Sequence, residues 1–288
     1  SVQKELIKDL YRLRQVDIEL ELVSETLATF DAIHKQYRGK LARGPEQEVT
    51  FNLVELATSD YELKKNHLTT EKAEIVSKIK AIWGPGFELK KTHLPPLKEK
   101  WAEVSNATSM KSSFEVQKAI AESEKALAEQ NLVQKESWPS MGIGPTISRN
   151  TEGPSQYISY GVNFSMTLPL VSINGGSRKL AESKMLQAKH SSDWAIKKAQ
   201  SEKEILLQKY KSSVESLKKS SNQSEINKKH QKIDGLFRQG LASGGLIIEA
   251  HRQITEYMES QHEHENAAIE AFLEIKTLSG EGFEEIFE

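Results

Sequence analysis

From Ile158 the chain alternates without a break. Ile158, Tyr160, Val162, Phe164, Met166, Leu168 and Leu170 are apolar, and Ser159, Gly161, Asn163, Ser165, Thr167 and Pro169 stand between them. A period of two puts successive side chains on opposite faces, so the pattern predicts a strand with one apolar face and one face of small polar residues. The run before it repeats the pattern, with Met141, Ile143 and Ile147 set against Ser140, Gly142, Gly144, Thr146 and Ser148. The connector Arg149 to Gln156 is rich in Asn, Thr, Gly, Pro and Ser, which is turn chemistry. Residues 138–174 therefore read as one β-hairpin. An apolar face of about ten residues opposite Ser, Asn, Thr and Gly is what a barrel strand needs with lipid outside and water inside. A soluble β-arm packed on helices is the alternative, but strands of a soluble sandwich come in numbers, and the remainder of this chain carries a helical pattern.

Upstream, Val2, Leu6, Leu10, Leu13, Val16, Leu20, Val23, Leu27, Phe30, Ile33 and Tyr37 recur at a mean spacing of about 3.5 residues, the coiled-coil period. A helix with that period must pack lengthwise against others. Gly39, Gly44 and Pro45 end it, and a second helix is predicted from about Val49 to Trp83. Residues 1–83 thus form a first antiparallel helical hairpin with its tip near 40–48. Gly84, Pro85, Gly86, Pro95 and Pro96 make residues 84–111 a linker, and a helix within 112–137 leads into the strands. After Gly175 and Gly176 a single very long helix is predicted from Arg178 to about Phe237, broken at Gly240, Gly244 and Gly245. A last helix, Leu246 to Leu278, returns from that break. Residues 175–280 are a second helical hairpin with its tip near 238–246, and 281–288 are a tail. The fold class expected is mainly α, with coiled-coil hairpins and one β-hairpin.

The two helical hairpins are copies of one unit. Tyr37, Arg38, Leu41, Ala42 and Gly44 recur 200 residues later as Phe237, Arg238, Leu241, Ala242 and Gly244. Past an insertion near Glu46 to Val49 the offset becomes 196, which matches Phe51 with Ile247, Tyr61 with Tyr257, Ile79 with Ile275, and Gly84 with Gly280.

Composition narrows the function. A hydrophobic fraction of 37% with 7% aromatics is lean for a thick core and suits long helix pairs. Net charge is −2, from Lys+Arg 39 against Asp+Glu 41, so no basic field points to nucleic acid. Cysteine is absent, which removes thiol catalysis, disulfides and thiolate metal sites. No run of about 18 apolar residues offers a transmembrane helix. His262 and His264 diverge on a helix and read as solvated residues. His230 and Asp234 stand at i and i+4, a pair that without a third ligand reads as a surface contact. Gly244 and Gly245 lack the strand and the Lys-Ser/Thr of a phosphate loop. Lys197, Lys198, Lys218 and Lys219 lie among acids on a solvated face. The sequence assigns no catalytic residue, no metal ligand and no cofactor.

A strand pair ending in Leu168, Pro169 and Leu170, the Gly175–Gly176 step, a long Ala/Gln/Lys-rich helix, and a tip reading Phe237, Arg238, Gln239, Gly240, Leu241, Ala242, Ser243 together resemble the TolC-type outer-membrane efflux channels. Pro169, Leu170, Asn174 and Gly175 resemble its heavy-metal branch (CzcC- and CusC-like). The resemblance implies a homotrimer in the outer membrane whose subunits close one β-barrel and whose helical hairpins form a periplasmic tunnel. It also implies a periplasmic adaptor at the tunnel tips, an inner-membrane pump behind it, passive conduction and no enzymatic activity. On that pattern Ile158, Tyr160, Val162, Phe164, Met166 and Leu168 face outer-membrane lipid. Gly240, Leu241 and Ser243 match the family's Gly-Leu-x-Ser/Thr adaptor-contact tip, with Arg238 beside them and Arg38 and Leu41 at the first tip. There Lys40 and Arg43 replace the Gly and Ser. Family members carry two β-hairpins per subunit and this sequence shows one, with its first helix starting at Val2. The expectation is that the native chain continues upstream with a second alternating strand pair. The competing reading is a soluble coiled-coil scaffold without a pore.

Overall fold

The computed structural model describes residues 2–38, 44–84, 86, 88–98, 100–104, 113–136, 141–166, 175–220 and 223–283. They fall into two compact units, one comprising 1–107, 203–277 and 281–288, the other 108–202 and 278–280. Six helices are described, α1 (Val2–Arg38), α2 (Pro45–Trp83), α3 (Phe114–Glu136), α4 (Gly175–Lys219), α5 (Gln223–Arg238) and α6 (Gly244–Ser279), with strands β1 (Met141–Glu152) and β2 (Ser155–Met166) between α3 and α4.

In the first unit the apolar repeat of α1 does what its period requires. Leu10, Leu13, Val16, Val23, Phe30 and Ile33 are buried against Val54, Tyr61, Leu68, Ile75 and Ile79 of α2 and Ile247 of α6. A second cluster gathers Ile7 and Tyr11 of α1, Leu207, Tyr210 and Val214 of α4, and Ala268, Ile269, Phe272, Leu273 and Ile275 of α6. Each large aliphatic side chain so buried contributes about 1.5–3 kcal/mol against the entropy of ordering the chain. Polar pairs fix the register. Arg12 meets Glu71, Asp17 meets Lys72 and Phe30 stacks edge-on against Tyr61, which makes α1 and α2 antiparallel. Lys8 meets Glu270 and Glu19 meets His262, so α6 also runs antiparallel to α1. The Tyr61 hydroxyl bonds to Thr255 and Lys64 pairs with Glu259, so α2 and α6 run parallel. Residues matched at the 196 offset thus lie on helices of equal direction. Gly84 and Gly280, matched in sequence, both have positive φ, +96° and +68°, at the ends of α2 and α6.

Several helix boundaries differ from the sequence reading: α4 begins at Gly175 rather than Arg178 and α6 at Gly244 rather than Leu246, so Gly244 and Gly245 open a helix instead of breaking one. α2 begins at Pro45 rather than Val49, because proline at the first helical position has no N–H to leave unpaired and Gly44, in extended backbone, accepts the first N–H groups from Gln47 and Glu48. The single helix expected from Arg178 to Phe237 is two helices. At Ser220 the hydroxyl bonds back to the Leu217 carbonyl at 2.7 Å and accepts from the Gln261 amide, a local side-chain alternative to the helical ladder.

In the second unit α3 and the early part of α4 share a small cluster of Val116, Ile120, Ile196, Ala199 and Leu278. β1 and β2 form a two-stranded antiparallel ribbon. Its turn is tighter than the expected connector Arg149–Gln156, since only Gly153 and Pro154 separate the strands. Gly153 has φ +57°, the sign required at the first central position of a two-residue II′ turn, so pairing runs on through Arg149 to Glu152 and Ser155 to Gln156.

Candidate functional site

The strand register joins the two alternating patterns on one face. Met141 pairs with Met166, Ile143 with Phe164, Pro145 with Val162, Ile147 with Tyr160 and Arg149 with Ile158. The other face pairs Gly142 with Ser165, Gly144 with Asn163, Thr146 with Gly161 and Ser148 with Ser159, the last two hydroxyls bonding at 2.8 Å. On the apolar face Ile143, Tyr160 and Val162 are each 77% exposed, and Ile158, Phe164 and Met166 are also exposed. Such a contiguous apolar surface marks contact with lipid or a partner. Leu168 lies outside the described residues.

At the second tip the chain leaves α5 through a Schellman turn. Gly240 has φ +71°, its N–H donates to Phe237, and the Leu241 N–H reaches back to Leu236 at 2.9 Å. Ser243 then caps α6, its hydroxyl accepting from Leu246 N–H at 3.3 Å. Arg238 closes α5, and Leu241 is 72% exposed. Gly244 is needed for close approach. A Cβ there would sit 2.8 Å from Thr50 Cγ2 and 3.4 Å from Ile33 Cγ2, so the second tip rests on the end of α1 and the start of α2. Of the first-tip residues, Arg38 ends α1 and Leu41 lies outside the described residues.

Two histidine readings change. His262 is buried rather than solvated, and its Nδ1 lies 2.5 Å from Glu19 Oε1. Glu19 also accepts from Arg12, which in turn holds Glu71. Burial by itself raises the Glu19 carboxyl, but the His262 hydrogen bond and the Arg12 charge outweigh it, and the net direction is down. A turn away, buried Arg14 and Gln15 both donate to Glu265, and Asn266 donates to Gln15. His230 is likewise buried, and His251 of α6 joins it and Asp234, with the two Nε2 atoms 2.9 Å apart. Burial outweighs the Ile247 carbonyl contact and the Asp234 charge and lowers the His251 ring below its ordinary value. The signal for His251 was present in the sequence: folding the hairpin about Gly240–Ser243 places it opposite His230.

No protein-family model and no curated protein matches this sequence. Solved structures do match. The open-state MtrE outer-membrane channel of Neisseria gonorrhoeae superimposes with TM-score 0.73 at 13% identity, over 98% of this chain and 66% of that one. The outer-membrane protein VceC of Vibrio cholerae gives TM-score 0.65 at 15% identity, over 98% and 70%. CusC, solved in a study of transmembrane channel formation, gives 0.60 at 14%, over 97% and 67%. The fold is that of the TolC-type outer-membrane channels. This chain spans about two thirds of the length of the channels it matches.

Proposed function

We propose that the protein is a subunit of an outer-membrane efflux channel in a Gram-negative envelope. It assembles as a homotrimer whose strands enter the outer membrane and whose helical hairpins form a periplasmic tunnel. The observation that carries the reading is the two-faced hairpin, whose register puts Ile158, Tyr160, Val162, Phe164 and Met166 with Met141, Ile143 and Ile147 on one exposed face and Ser, Asn, Thr and Gly on the other. A lipid-facing row and a water-facing row need that division. The helices support it, since they share the packing and order of solved channels.

Conduction on this reading is passive. Energy comes from an inner-membrane pump, and a periplasmic adaptor joins the pump to the tips. Leu241 is the adaptor-contact residue the tip offers best, because it is exposed on a turn held rigid by Gly240 and Ser243. Arg238 flanks it, and Arg38 and Leu41 are their counterparts in the sequence repeat.

Membrane-inserted, heat-resistant trimer is the readout that tests this. Val162→Asp and Phe164→Asp each put a charge toward lipid, at a cost of about 2–4 kcal/mol near mid-membrane, whereas Asn163→Asp faces water. Trimer is expected to fall for the first two and to persist for the third. Equal losses in all three refute the assignment of faces.

A further inference from the structure

We propose that His230, Asp234 and His251 form a divalent-cation site, of the kind that takes Zn²⁺, clamping α5 to α6 below the second tip. The proposal does not depend on the channel reading. His230 and Asp234 lie one turn apart on α5, and His251 comes from α6. One ligand atom from each residue lies within 4.8 Å of the other two. His251 Nε2 is 3.4 Å from Asp234 Oδ1, and His230 Nε2 is 3.8 Å from Asp234 Oδ2. Ligands about 2.0–2.1 Å from a tetrahedral Zn²⁺ stand roughly 3.4 Å apart, so these spacings need only small side-chain rotations to close on an ion.

The hydrogen bonds already select the ligating tautomer of His251. Its Nδ1 is 2.9 Å from the Ile247 carbonyl, which can only accept, so the proton is on Nδ1 and the Nε2 lone pair points into the cluster. That lone pair meets His230 Nε2 at 2.9 Å. Asp234 Oδ1 is buried beside them with no hydrogen-bond donor. An ion at the centre satisfies all three atoms together. His230 then carries its proton on Nδ1, on the side of the Glu25 carboxylate, whose Oε2 stands 3.8 Å away.

The site also has an entry path. His230 and Asp234 line an open groove of about 670 Å³ that Glu21, Glu25 and Asn227 share, leaving a fourth coordination position toward water. Two imidazoles and a carboxylate, with no thiolate, suit a borderline ion such as Zn²⁺.

The test is titration of the full chain, first freed of metal with a chelator, by Zn²⁺ against a competing dye and by Co²⁺ followed in the visible. One ion per chain and a tetrahedral Co²⁺ band are expected. His230→Gln and Asp234→Asn should each weaken Zn²⁺ by on the order of 100-fold, because each removes a ligand. His264→Gln, on the same helix as His251 but outside the cluster, should leave the affinity unchanged. Should a variant misfold, the wild-type stoichiometry and Co²⁺ spectrum still decide. Absence of binding, an octahedral spectrum, or folded variants that bind like wild type overturns the proposal, leaving a hydrogen-bonded His–His–Asp cluster.

Discussion

Glu265→Leu removes the anion from a buried ion pair in the helical unit. Arg14 and Glu265 are 7% and 6% exposed, and Glu265 Oε2 accepts from both the Arg14 guanidinium and, at 2.7 Å, the Gln15 amide. Without the carboxylate the buried guanidinium keeps the Pro96 carbonyl, at 2.6 Å, but no counter-charge. Stranding one member of such a pair costs about 3–5 kcal/mol. Adding Arg14→Met removes the stranded charge. What then remains is a Pro96 carbonyl without its donor and a Gln15 amide short of one acceptor, roughly 1–3 kcal/mol. The double variant is therefore expected to be more stable than Glu265→Leu alone, by about 2 kcal/mol. Asp31→Ala breaks the exposed Lys35 pair as a control and should cost no more than about 0.5 kcal/mol. Urea unfolding followed by far-ultraviolet circular dichroism measures all four proteins. A Glu265→Leu loss under about 1 kcal/mol, or a double variant weaker than the single one, refutes the argument.

Three further outcomes follow from the same geometry. The Glu19 carboxyl is held below its ordinary value of 4.5, so the stability it contributes is present above pH 4.5 and lost as pH falls through the lower folded value. Glu19→Gln should lower stability at neutral pH and flatten the acid limb of a stability–pH curve; an unchanged limb contradicts the assignment. Gly244→Val drives a side chain into Thr50, Ile33 and Tyr37, and should cost about 1–3 kcal/mol in the same urea assay, where a neutral result would mean the tips do not pack as described. Leu241→Glu alters an exposed turn residue, so site-specific cross-linking to the adaptor should fall while the amount of trimer holds; a parallel fall in trimer would make Leu241 structural. Ser243 is less suitable for that experiment, because replacing a helix cap costs about 1 kcal/mol by itself.

The helical hairpins and the strand pair were legible because each rests on a periodic pattern that local chemistry does not disturb. The spacing of Leu10, Leu13, Phe30 and Ile33 foretold a lengthwise seam, and all four are buried in it. The 196 offset foretold α2 and α6 as equivalents, and Tyr61 and Lys64 meet α6 in the parallel sense. The break at Ser220 was not legible, because neither Gly nor Pro marks it and the hydroxyl that competes for the ladder is anchored from α6 by Gln261. Nor were the buried polar groups. Arg14, Gln15, Glu19 and His262 look like surface residues until the α1–α6 register places their partners opposite. His230 and Asp234 could be paired by spacing within one helix, but His251 enters only through the antiparallel return of the next.

The most direct test of the channel account is the accessibility of the hairpin residue by residue. The chain has no cysteine, so single cysteines at 160 through 165 report only on themselves. Each is to be spin-labelled in the full chain in lipid bilayers and its relaxation read against oxygen, which concentrates in lipid, and a water-soluble nickel chelate. The account predicts strict alternation. Labels at Tyr160, Val162 and Phe164 sense oxygen, and labels at Gly161, Asn163 and Ser165 sense nickel. Uniform nickel access along both faces would show a hairpin lying in water, and the assignment of a membrane channel would be wrong.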